Sequence, residues 1–211
     1  MRVHAETTRE LIEAIANIVI AHANELTELD RAIGDGDHGV NMTRGFKAVL
    51  ERVDTIAVMP LGKALRGVGT TLIRFVGGAS GPLYGKLFET VGRHIDETGS
   101  VSRDTLVEAG EEAIRVLKTL GRSDVGQKTM LDVLVPVLDE LRSFNGAELL
   151  PQIRRRATIA AQATVPMMAR KGRAAFLGER SQGHMDPGAR SSELILNAVC
   201  RHLESHPGAI I

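Results

Sequence analysis

Apolar residues recur at helical spacing along almost the whole chain, and strand-like alternation is hard to find. Leu11, Ile15, Ile18, Val19 and His22 share one face of a first predicted helix, and Met42, Phe46, Val49, Leu50 and Val53 line a second. Leu61, Leu65, Val68, Leu72 and Phe75 form a third stripe behind Pro60, a residue tolerated at a helix start. Leu83, Leu87, Val91 and Ile95 make a fourth that closes near Gly99. Ser102 suits the N-cap of a fifth, whose inner face carries Leu106, Ala109, Ala113, Val116, Leu117 and Leu120. Met130, Val133, Leu134, Val137, Leu138 and Leu141 mark a sixth, with a kink expected at Pro136. Ile153, Ala157, Ala160, Ala161, Thr164, Met167 and Met168 mark a seventh, with a second kink expected at Pro166, and Ile195, Val199 and Leu203 lie on the last. Eight helices with mostly short connections predict an all-α fold, one domain over residues 1–211 built as an antiparallel up-and-down bundle or barrel. The longest irregular stretch runs from about Lys171 to Arg190.

The joints between these helices carry the chemistry. Between the first and second helices lies Asp30-Arg31-Ala32-Ile33-Gly34-Asp35-Gly36-Asp37-His38-Gly39-Val40-Asn41. Like charges at 4 Å repel by roughly 4 kcal/mol at an effective dielectric of about 20, so a fold that gathers three carboxylates calls for a neutralising cation. All-oxygen donors suit a hard ion such as Mg²⁺. The same residues would also make a solvated acidic turn. An EF-hand does not fit, because the D-x-D-x-D-G order is broken and no Glu stands at the twelfth loop position.

Three more polar or Gly-rich joints follow: Gly77-Gly78-Ala79-Ser80-Gly81-Pro82, then Gly121 through Thr129, then Gly172 through Gly188. In an up-and-down arrangement these alternate joints share one end with the acidic loop, so four loops build one site. Gly78, Ala79 and Ser80 offer backbone N–H groups at a helix start, where an anion is favoured, although Ser80 is equally a simple cap. Gly121 through Thr129 resembles a P-loop with one extra residue before Lys128, but it follows a predicted helix rather than a buried strand, which rejects that reading. His38 is open to three roles: metal ligand, general base or phosphate contact.

Composition narrows the function. Lys plus Arg equals Asp plus Glu, 26 against 26, which leaves no long-range field for nucleic acid or an anionic membrane. One cysteine, Cys200, cannot form an internal disulfide, and no long apolar run or signal pattern appears, so a cytoplasmic protein is expected. The apolar stripes can all be buried within one bundle, which leaves monomer and homodimer both open.

Five blocks resemble the L subunits of dihydroxyacetone kinases, in order along the whole chain: Gly34 to Asn41, Val76 to Pro82, Lys128 to Asp132, Ala169 to Ser181 and Gly183 to Ala189. The resemblance implies an eight-helix barrel holding a nucleotide at one end. Carried over residue by residue, it implies that Asp30, Asp35 and Asp37 bind two Mg²⁺ ions. His38, Gly39, Val40, Asn41, Ala79 and Ser80 would lie against the phosphates. Gly121, Met130 and Asp186-Pro187-Gly188 would enclose the adenosine, and Arg173 would reach a phosphate. The implied activity is phosphoryl transfer to dihydroxyacetone or a related triose or tetrose, held by a separate K-type subunit. The donor is either ATP or tightly bound ADP recharged by a phosphotransferase-system M subunit. Two other classes stay open on the residues alone: an ADP-loaded regulatory module, and an all-α hydrolase with two metals.

Overall fold

The computed structural model describes residues 5–206, and every regular element among them is helical. The described residues form ten α-helices: α1 (Ala5–Ala21), α2 (Ala23–Ile33), α3 (His38–Leu50), α4 (Val53–Ala57), α5 (Leu61–Phe75), α6 (Ser80–Thr98), α7 (Arg103–Gly121), α8 (Leu131–Ser143), α9 (Leu149–Ala163) and α10 (Pro187–Ser205). A 3-10 segment, Arg173–Ser181, lies within the long stretch read as irregular.

The eight predicted helices become ten for local reasons. The first divides at His22, whose backbone leaves the helical region and whose Nδ1 bonds the Ile18 carbonyl at 2.8 Å. Val53 starts the short α4 instead of ending α3. The seventh stops at Ala163, so Thr164, Met167 and Met168 lie beyond it rather than along a kinked helix. Pro166 restricts the residue before it and so favours this earlier stop. Pro136, by contrast, sits inside a continuous α8. Ser102 caps α7 as its sequence predicts, its hydroxyl accepting from the Thr105 N–H at 3.2 Å.

Neighbour order returns on itself. Helix α1 packs on α3, α3 on α5, each of α5 to α9 on its successor, and α10 on α1. The closest pair is α5 and α6, and glycine permits it. A Cβ at Gly69 would sit 2.5 Å from the Gly85 carbonyl oxygen, and one at Gly62 would sit 2.6 Å from that of Gly92. Leu72, Phe46, Met42, Val19, Leu26 and Leu117 are fully buried in the resulting core. No described helix is long and apolar enough to cross a membrane.

Candidate functional site

All four polar joints line one cavity of about 260 Å³. Its wall includes Asp30, Asp35, Asp37 and His38 from the α2–α3 joint, and Gly78, Ala79 and Ser80 from α5–α6. Gly121 and Met130 come from α7–α8, and Arg173 with Asp186, Pro187 and Gly188 from α9–α10. Gly39, Val40 and Asn41 stand outside that wall. Gly39 faces α2, where a Cβ would strike the Ala23 carbonyl oxygen at 1.9 Å, and Val40 is exposed. Asn41 is buried with its Oδ1 accepting from Arg44 at 2.7 Å, beside Gly77.

The acidic loop is built around Asp30. Its buried Oδ2 accepts the backbone N–H of Asp37 at 2.8 Å and of His38 at 3.0 Å, tying the loop to the start of α3. Gly34 makes room for it, since a Cβ there would lie 2.1 Å from Asp30 Oδ1. One carboxylate oxygen each from Asp30, Asp35 and Asp37 comes within 4.8 Å of the others. Three hard, like-charged donors this close fit a divalent cation held by oxygen ligands. Across the cavity mouth, Arg173 Nε pairs with Asp35 Oδ2 at 3.0 Å. Both side chains reach solvent, so this contact orients the fourth loop against the first rather than adding much stability.

Helix α6 starts at the cavity with its first N–H groups free of helical partners. Gly78, at φ +64°, turns the chain into that start. The Ser80 hydroxyl lies 3.0 Å from His38 Nδ1, while His38 Nε2 lies 2.9 Å from the Ser191 hydroxyl. Ser191 in turn lies 2.6 Å from the Tyr84 hydroxyl, which also meets Ser192 Oγ and the Gly188 carbonyl oxygen, each at 2.9 Å. Burial pushes the His38 ring down to about 4, against the pull of Asp30 and Asp37, so it is neutral at pH 7. A neutral ring with both nitrogens bound to hydroxyls holds Ser80 and Ser191 in place. His38 thereby couples the starts of α3, α6 and α10.

Lys128 organises the far wall. It is almost wholly buried, with its backbone in the left-handed region at φ +63°. Nζ donates to the carbonyl oxygens of Thr164 at 2.9 Å, Met167 at 3.0 Å and His184. The neighbouring Asp132 accepts from the Thr129 N–H at 2.7 Å and also from Gly126. The lysine of the P-loop-like segment thus anchors backbone, consistent with rejecting that motif, and α7 is indeed the element before it. Sequence reasoning missed Tyr84, Ser191 and Lys128 as members of the site. The available signal was their polarity within otherwise apolar helical stretches, or beside a glycine turn.

Asp186 caps α10, its Oδ2 accepting from the Ala189 N–H at 2.7 Å. Burial pushes its carboxyl up to about 7, with the nearby Asp132 adding to the rise and Lys128 opposing it. Folding therefore takes up a proton here, and this contribution to stability is full below about pH 4 and lost as pH rises through about 7. Asn also caps well, so Asp186→Asn should keep the helix start yet escape this loss. In metal- and nucleotide-free urea titrations, wild type should lose up to about 4 kcal/mol relative to Asp186→Asn between pH 4 and 8. Parallel curves for the two proteins would refute the burial of an ionising Asp186.

A DAK2 domain model matches residues 32–201. The chain is 42% identical over 180 residues to the ADP-binding subunit DhaL of the PEP-dependent dihydroxyacetone kinase of Escherichia coli K12, covering 83% of this chain and 86% of that one. It is 35% identical over 195 residues to the ADP-binding subunit DhaL of the PTS-dependent dihydroxyacetone kinase of Lactococcus lactis, covering 92% and 95%. Its fold matches a crystal structure of the dihydroxyacetone kinase from C. freundii in complex with AMP-PNP and Mg²⁺, at TM-score 0.75 and 22% identity. That match covers 95% of this chain but only 34% of the kinase chain.

Proposed function

Since the chain belongs to the DAK2-domain family, we propose that it is the nucleotide-binding subunit of a dihydroxyacetone-type kinase. It would work as one cytoplasmic domain beside a K-type subunit that holds the ketose and an M-type phosphotransferase subunit that recharges bound ADP. The observation that carries this reading is the meeting of four separate loops at one cavity, with three carboxylates facing a helix start. Relatives named as ADP-binding subunits, similar to it over nearly their whole length, favour the bound-ADP branch over exchange of ATP.

Each residue then has a role. Asp30, Asp35 and Asp37 hold Mg²⁺, two ions in this proposal, and the loop's own repulsion falls when they do. Recharged by the M-type subunit, the nucleotide held there would supply the phosphoryl group, and the magnesium the positive charge that offsets its transfer. The N–H groups of Gly78, Ala79 and Ser80 face the phosphates, and Arg173 contributes a cation from the opposite loop. Met130 and Gly188, close enough that a Cβ on Gly188 would lie 3.6 Å from the Met130 nitrogen, wall in the adenosine with Gly121, Asp186 and Pro187. His38 fixes the Ser80 hydroxyl beside the phosphates, while Gly39 and Asn41 support that corner from outside the cavity wall and exposed Val40 flanks it.

Native mass spectrometry of the purified chain in a Mg²⁺-containing volatile buffer tests the proposal. A retained mass of ADP plus two Mg²⁺ is expected, and phosphosugar should form only after K- and M-type partners, sugar and a phosphotransfer donor are added. Reversible uptake of ATP by an empty chain would move the protein to the ATP-dependent branch. Failure to bind any nucleotide would overturn the reading and revive the dinuclear hydrolase.

A further inference from the structure

At the junction of α1 and α10, away from the nucleotide cavity, Glu10, His202 and His206 bring one carboxylate oxygen and two ring nitrogens within 4.8 Å of one another. We propose that these three residues form a binding site for a first-row transition-metal ion, Zn²⁺ above all. His202 lies in the last turn of α10 and His206 is the residue that ends it, and their rings stack with centroids 4.4 Å apart, which leaves a nitrogen of each within reach of one ion. Two nitrogens and a carboxylate are zinc-type donors, unlike the all-oxygen set of the acidic loop.

The hydrogen bonds leave the right lone pairs free. His206 Nδ1 must donate to the His202 carbonyl oxygen, 2.9 Å away, because a carbonyl can only accept. Its Nε2 then faces Glu10 Oε2 at 3.0 Å with nothing but a proton or a metal ion to join two acceptors. A metal-bound imidazole whose other N–H is held by a carbonyl is a familiar supporting arrangement. His202 supplies the second observation. It is only 6% exposed, and its Nε2 is buried with no hydrogen-bond partner among the described residues.

Access is open. His202 and His206 line a surface groove of about 980 Å³ between α1, α9 and α10. Side chains of His206 and Glu10 are 38% and 44% exposed, so each can rotate towards an ion and a water can fill a fourth position. Such a site would pin the last turn of α10 to the first turns of α1, where the ring of helices closes.

The test is a Co²⁺ titration of the tag-free 211-residue chain with excess Mg²⁺ present to occupy the acidic loop. One Co²⁺ per chain is expected, with the visible absorption of a nitrogen-ligated ion, and Zn²⁺ should displace it. His206→Gln and Glu10→Gln, both at partly exposed positions, should each weaken binding at least tenfold, while Asp37→Asn should leave it unchanged. His202→Asn should behave like His206→Gln if it folds, and the two surface variants decide the matter if it does not. Absence of Co²⁺ uptake would show a plain imidazolium–carboxylate pair and overturn the site. Uptake that survives His206→Gln, or is lost in Asp37→Asn, would assign the ion elsewhere and overturn it equally.

Discussion

Asp37→Asn should lower phosphoryl transfer, measured with K- and M-type partners and sugar, by about a thousandfold while leaving the metal-free fold intact. Asp37 is exposed, makes no side-chain bond as the residue before α3, and shares its small volume with Asp30 and Asp35. Its carboxylate thus has no visible structural task beyond holding positive charge. A metal ion contributes several kcal/mol to stabilising a transferring phosphoryl group, and about 1.4 kcal/mol corresponds to tenfold in rate. Thermal melts without Mg²⁺ should show Asp37→Asn equal to or slightly above wild type, within about 0.5 kcal/mol, because one like charge has gone. Melts with Mg²⁺ and ADP should separate the two, since only wild type gains from binding. A variant with wild-type transfer would remove the carboxylate cluster from the chemistry.

The largest effect on stability should come from Lys128→Met. Methionine fills much the same space but cannot donate, and the carbonyl oxygens of Thr164, Met167 and His184 would lose their shared ammonium. Each buried acceptor left unmade costs about 1–3 kcal/mol, with partial relief from shifts of the loop. A net loss of roughly 3–5 kcal/mol follows, about 10 °C in melting temperature for a chain of this size. Nucleotide affinity should drop about tenfold or more as well, because the same lysine fastens the loop of Gly121 and Met130 to the loop of Asp186 and Gly188. A melting temperature within 2 °C of wild type, as the outcome of a calorimetric scan, would mean the carbonyl cage is satisfied in another way.

Much of the fold is legible because helix formation is a local matter. A stripe such as Leu61, Leu65, Val68 and Leu72 declares a helix and its buried face through spacing alone, and the structure buries Leu65, Val68 and Leu72. The errors arise where a side chain or a proline overrides that spacing, at His22 and before Pro166. The close pairing of α5 with α6 is written in the seven-residue spacing of Gly62 to Gly69 and of Gly85 to Gly92, but only with both helices in view does the spacing acquire meaning.

By itself the sequence determined the all-helical architecture, the placing of polar loops at alternate joints, and the acidic loop with its family. Those follow from contacts a few residues apart, where covalent geometry sets the distances. What only the tertiary structure decided lies between distant residues: His38 held between Ser80 and Ser191, Lys128 caged by carbonyls 36 to 56 positions away, and His206 meeting Glu10 from the opposite end of the chain. The physical reason is desolvation. Whether a histidine is neutral, a lysine structural or an aspartate protonated depends on which groups replace water around it, and that is defined only when the helices pack.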